Sequence, residues 1–217
     1  MSFCSDVDIL RYEPVLFGEL HLQCQVLCSG SGGVLDGTSF TVSDNDLVAS
    51  GVQAGGVIYL RDGEPIVGGC FEIVSVESAS ELTVSVIRGD KEEAAVGPAS
   101  ASEVEYRIST FGPQINEAEF ELSEQFGMQP GDAESDLTVD EVLDTGSLKR
   151  MCVFSVISSV YAMLASGAGD ENFWKKSLYY RRLFEKAKER SKVCFDTDVD
   201  GVAEKKKAGG WSRLRRD

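Results

Sequence analysis

The chain has 217 residues, 42% of them hydrophobic and 26% charged, with a formal net charge of −15; this is the composition of a folded globular protein and excludes disorder along the whole length. The charge is unevenly placed, residues 1–170 holding 7 Lys/Arg against 28 Asp/Glu and residues 171–217 holding 14 against 8. So acidic a body argues against general nucleic-acid binding, whereas the basic end suits an acidic partner, a second copy of the chain included.

Residues 1–18 read as a lead-in that packs on a helical domain, with Asp8–Glu13 helical up to Pro14. The opening residues lack the basic-then-apolar pattern of a secretory signal. From Leu20 the apolar period changes to two, which predicts strands at Leu20–Cys28, Thr38–Val42, Gly56–Arg61, Cys70–Val76, Leu82–Arg88 and Val104–Thr110. In the first of these, Leu20, Leu22, Cys24, Val26 and Cys28 alternate. Both cysteines are therefore expected to face the core, and His21-x2-Cys24-x3-Cys28 is not read as a zinc site. All six cysteines (Cys4, Cys24, Cys28, Cys70, Cys152 and Cys194) are expected as reduced thiols. Short strands at this spacing predict a small antiparallel β-barrel or sandwich over residues 19–111.

Gly112-Pro113 ends the β pattern. A short helix is predicted over Gln114–Phe126, then an exposed loop over Gly127–Asp136, then a capping box at Thr138-x-x-Glu141. Ser147 is the expected N-cap of a helix running to about Ser166. The uncharged run Met151–Gly169 is 19 residues long, close to the ~20 of a membrane span. Its serines and its Ser-Gly-Ala-Gly end favour a buried helix, so no membrane contact is expected. Val153, Val156, Ile157, Val160, Tyr161 and Leu164 share one face by the i, i+3, i+4, i+7 rule. Small residues (Cys152, Ser155, Ser159, Ala162, Ser166) line the other, where a second helix or a neighbouring subunit could approach closely. Asp170 caps a further helix, Glu171–Lys192, whose exterior is basic. The predicted fold class is α+β: a helical hairpin or bundle over residues 113–195, joined by the N-terminal segment, carries the inserted barrel or sandwich. A helical domain thus spans 112–201, and a basic tail spans 202–217.

Catalytic signals are weak. His21 is the sole histidine, no serine sits in a G-x-S-x-G elbow, and the glycine patches at Gly30–Gly33 and Gly167–Gly169 lack the lysine of a phosphate loop. The chain is read as a non-enzyme. In Asp196-Thr197-Asp198-Val199-Asp200-Gly201 the alternating carboxylates suit a hard cation such as calcium. Position twelve of an EF-hand loop, however, demands Glu and here is Lys207, with Glu204 at position nine. An ordinary Asp-rich turn is therefore preferred to a metal site at Asp196, Asp198 and Asp200, and no cofactor is expected. In the basic tail, Trp211 and Leu214 among Arg213, Arg215 and Arg216 read as a docking peptide, since Trp and Arg are favoured interface anchors.

One stretch carries a family pattern: Tyr161-Ala162-Met163-Leu164-Ala165 at a helix end, then Trp174 and lysines, Tyr179-Tyr180-Arg181-Arg182, Lys188-Glu189-Arg190, and the Asp196–Gly201 turn. Residues 148–167 and 173–194 with this turn resemble the paired helices of tailed-bacteriophage head–tail connector (adaptor or neck) proteins. Phe40-Thr41-Val42, Gly51–Gly55 and Ile73–Ser78 are similar to small β modules of phage neck and tail proteins. The resemblance covers about a third of the chain, and the β domain departs from the mostly helical adaptors. It implies a structural virion protein, assembled in the host cytoplasm, that forms a homo-oligomeric ring of twelve copies under the portal. Other neck and tail proteins would be its further partners, and DNA would only pass through the channel. Portal docking would fall to Trp211, Arg213, Leu214, Arg215 and Arg216. A stopper, completion or minor tail protein, and a non-viral β-barrel binding module with a helical attachment hairpin, are the alternatives.

Overall fold

The computed structural model describes residues 2–62, 67–128, 137–168, 170–198 and 200–209. It is a mixed α+β protein that divides into two compact units, Ser5–Phe111 and Met1–Cys4 with Gly112–Asp217.

The first unit is a closed antiparallel barrel of six strands, β1 (Val26–Asp36), β2 (Ser39–Thr41), β3 (Val57–Arg61), β4 (Gly68–Ser78), β5 (Glu81–Ser85) and β6 (Ala101–Ser109), in the order β1-β2-β5-β4-β3-β6. Closure leaves no free sheet edge. Period-two alternation sends Ile58 and Leu60 of β3, Leu82 and Val84 of β5, and Val104, Tyr106 and Ile108 of β6 into one core with Phe40, Leu35 and Ile73. Their neighbours Arg61, Glu103 and Glu105 stay exposed.

The glycine patch in β1 has a packing reason. A Cβ on Gly33 would lie 2.7 Å from the ring of Phe40, and one on Gly30 would lie 2.8 Å from the Tyr106 hydroxyl and collide with the Asp44 carboxylate. Gly32, at φ +81°, adopts a left-handed conformation that costs glycine nothing, beside the register shift between Gly30 and Gly33.

Three expectations are corrected in this unit. The strand expected over Leu20–Cys28 begins only at Val26, after a 3₁₀ turn at Gln23–Gln25. Cys24 is consequently exposed while Cys28 is buried; the alternation across Leu20–Cys24 was coincidental. The residues from Ser5 to Gly18 belong with the barrel and not with the helices. Helix α1 (Asp6–Leu10) is tied there by Val7 N–H donating to Gly55 O at 3.1 Å, and by the Asp6 carboxylate accepting from Phe111 N–H and the Thr110 hydroxyl, both at 2.8 Å.

The second unit comprises α2 (Gly112–Gln125), a 3₁₀ turn at Val139–Glu141, α3 (Gly146–Ala168), α4 (Glu171–Arg190) and a two-stranded sheet of β7 (Lys192–Phe195) and β8 (Lys205–Ala208). The capping box at Thr138 and Glu141 is present. Helix α3 is long and apolar enough to cross a membrane by length and composition alone. Within the unit, however, Met151, Cys152, Val153, Val156, Ile157, Val160 and Tyr161 are all buried, as a core helix requires. Tyr180 of α4 stacks on Tyr161 at 6.3 Å, and the Ser158 hydroxyl donates to Ser177 O at 3.0 Å.

Two boundaries are corrected here. Helix α3 starts one residue before Ser147, whose hydroxyl donates back to Asp144 O while the Asp144 carboxylate accepts from Gly146 N–H, both at 2.8 Å; Asp144, not Ser147, supplies the cap. The basic tail expected from residue 202 is partly structured, because Lys205–Ala208 pair with Lys192–Phe195.

Candidate functional site

Helix α4 is held by few of its residues. Ser177 and Tyr180 are its buried positions, and the basic Lys175, Arg181, Arg182 and Lys186 are exposed. On the same outward side stand large apolar groups: Trp174 is 51% exposed, Leu178 38% and Tyr179 56%. An aromatic-and-basic helix face of this kind is what interface anchors look like before they are covered. Asp170 accepts from Asn172 N–H at 2.8 Å and starts the helix where the sequence suggested. Beside that cap, Ala162, Ala165, Ser166 and Trp174 line a mostly apolar hollow of about 390 Å³.

The barrel unit offers the complementary chemistry. It holds 5 Lys/Arg against 17 Asp/Glu over Ser5–Phe111. One of its loops is built around Arg88, whose guanidinium pairs with the buried Glu72 carboxylate at 2.7 Å and donates to Lys91 O and Glu93 O at 2.8 Å each. This fixed loop displays Asp90 and Glu92 beside the exposed Val86, Ile87 and Val96.

The turn between β7 and β8 brings the sequence-predicted carboxylates together. Asp196, Asp198, Asp200 and Glu204 each place an oxygen within 4.8 Å of the others, Asp196 buried and the rest exposed. The chain builds this turn with its own groups: Asp196 accepts from Gly201 N–H at 2.7 Å and Asp200 N–H at 3.1 Å, and Glu204 accepts from Thr197 N–H at 2.7 Å. Four carboxylates at this spacing offer oxygen ligands to a hard cation. Asp196, Asp200 and Glu204 also serve as turn caps, Asp200 accepting from Val202 N–H at 2.8 Å. Glu204 completes the set from position nine, where the sequence pointed.

A polar cleft on the barrel wall was not foreseen. His21, Gln23, Ser29, Ser31, Tyr59 and Arg107 line about 390 Å³. The Arg107 guanidinium lies 4.8 Å over the Tyr59 ring and donates to Phe17 O at 3.0 Å. Register brings three of them together, since Arg107 of β6 pairs with Ser29 of β1 and with Tyr59 of β3. Burial pushes the Cys28 and Cys70 thiols up to about 11, Cys28 with help from the Asp44 charge, so neither is a nucleophile near neutrality.

The docking residues Trp211, Arg213, Leu214, Arg215 and Arg216 lie outside the described residues.

Fold and surface together define a two-unit α+β protein that separates an acidic barrel from a helical unit with a basic, aromatic outer helix. Comparison with protein-family models, with curated proteins and with solved structures finds no match.

Proposed function

We propose that this chain is a non-enzymatic assembly protein of a tailed-phage neck, a head–tail adaptor that forms a ring beneath the portal and continues the DNA channel. In this reading α3 and α4 are the paired-helix hairpin of the connector family. The observation that carries it is the uncovered outer face of α4, where Trp174, Leu178 and Tyr179 stand among exposed lysines and arginines. A monomer gains nothing from such a face, whereas an assembly buries it. The acidic barrel supplies an opposite charge for a neighbouring copy, and a head-to-tail contact of unlike surfaces closes into a ring. An acidic channel wall would also let DNA slide without sticking.

Capture from the source lysate tests this. Tagged full-length protein is expected to retain portal and tail proteins, and a version ending at Gly209, which keeps β8, is expected to lose the portal. Failure of the full-length protein to bind portal at any salt concentration would sink the proposal.

The barrel cleft with Arg107, Tyr59 and His21 favours a second reading, a barrel that binds a discrete small ligand with the helices as its attachment. A ligand recovered with the barrel, together with no portal capture, would favour it.

A further inference from the structure

Cys4 and Cys152 bring two thiols together inside the helical unit. Their sulfurs stand 2.8 Å apart, and both side chains are buried. Non-bonded sulfur atoms rest roughly 3.6 Å apart, at packing contact, and bonded ones about 2.05 Å. The pair therefore sits well inside packing contact and short of a bond, a separation that closes with a small side-chain movement.

Both partners are held in place. Residues 2 and 3 are pinned by the Glu119 carboxylate of α2, which accepts from the Ser2 hydroxyl and from Phe3 N–H at 2.5 Å, and the Ser2 hydroxyl also reaches Cys4 O at 2.7 Å. Cys152 lies in α3 between the buried Met151 and Val153. Cys24, Cys28 and Cys70 belong to the barrel unit, and Cys194 sits in β7.

We infer that Cys4 and Cys152 form a disulfide when the protein meets an oxidant such as hydrogen peroxide. Each thiol gives up one proton and one electron, the S–S bond forms, and the peroxide O–O bond breaks to give two waters. The bond ties the segment before the barrel to the core helix of the helical unit. It closes a loop containing the whole barrel, and so removes a large amount of freedom from the unfolded chain. This rests on the two sulfurs and not on the assembly reading. If that reading holds, the thiols stay reduced during assembly in the host and close once the particle leaves it.

The test uses the full chain, reduced with dithiothreitol or treated with hydrogen peroxide and then freed of reagent. Thiols are counted in denaturant, and peptides are mapped by mass spectrometry without reduction. The six thiols of the reduced chain should fall by two, with the Cys4 and Cys152 peptides linked. The melting temperature should rise by several degrees, as long-loop disulfides give. Cys4→Ala and Cys152→Ala should each abolish both changes, and the reduced wild type serves as the folding reference for each. An unchanged thiol count or a link mapped to another pair would overturn the inference. Portal capture, measured separately, is not affected by any of these outcomes.

Discussion

At the scale of single residues, two positions give sharp tests. Burial raises the Asp6 carboxyl from its ordinary 3.8 to about 6, against the opposing effect of hydrogen bonds from Phe111 N–H and Thr110. The folded barrel then holds the proton more tightly than the unfolded chain. This contribution to stability is full below pH 3.8 and is lost as pH rises through about 6. Relative to Asp6→Asn, the wild type should lose on the order of 3 kcal/mol between those limits, read as the difference between two denaturant-unfolding series across pH. A wild type that gains stability relative to Asp6→Asn as pH rises would contradict the assignment. Gly33→Ala places a methyl 2.7 Å from the buried Phe40 ring and should cost about 1–3 kcal/mol in the same unfolding assay. Sequence reading saw the Gly30–Gly33 patch but not its purpose. A close approach between β1, Phe40 and Tyr106 is a fact of register, which no local pattern contains.

At the scale of elements, the barrel strands after residue 38 and the helices after 112 were legible. Period two with Gly, Asp and Asn punctuation, and the caps at Thr138 and Asp170, are local signals. The miss at Leu20–Cys28 came from alternation continuing by chance through a 3₁₀ turn; β7 at Lys192–Phe195 was missed because helix was expected as far as residue 195, and its partner β8 because it is made almost wholly of lysine. The acidic turn was legible as a motif because its four carboxylates are close in sequence. The barrel cleft was not, because His21 before β1, Tyr59 of β3 and Arg107 of β6 are far apart in sequence and meet only in the fold. The outer face of α4 makes its own prediction. Replacing Trp174 with Ala and Arg182 with Glu touches exposed positions and should change stability by no more than about 0.5 kcal/mol. Self-association measured by sedimentation velocity should weaken at least about tenfold, and Glu92→Lys should restore part of it to the Arg182→Glu variant. Equal association by all forms would remove α4 from any interface.

At the scale of the whole molecule, charge is the organising feature: 12 excess acids over Ser5–Phe111 against 3 over the remainder. Contacts between unlike surfaces are screened by salt, so assembly should weaken as ionic strength rises past the range where the Debye length is about 10 Å. The sequence disclosed an asymmetry with a different boundary, acidic over residues 1–170 and basic over 171–217. What composition could not disclose is which groups stay uncovered once each unit has packed, and that uncovered face is what now argues for assembly. The most direct measurement is a cryo-electron microscopy map of the neck in particles purified from the source lysate. The account predicts a ring of copies of this chain directly beneath the portal, with α4 buried between neighbours. Particles that lack the chain, or that carry it away from the neck, would contradict it.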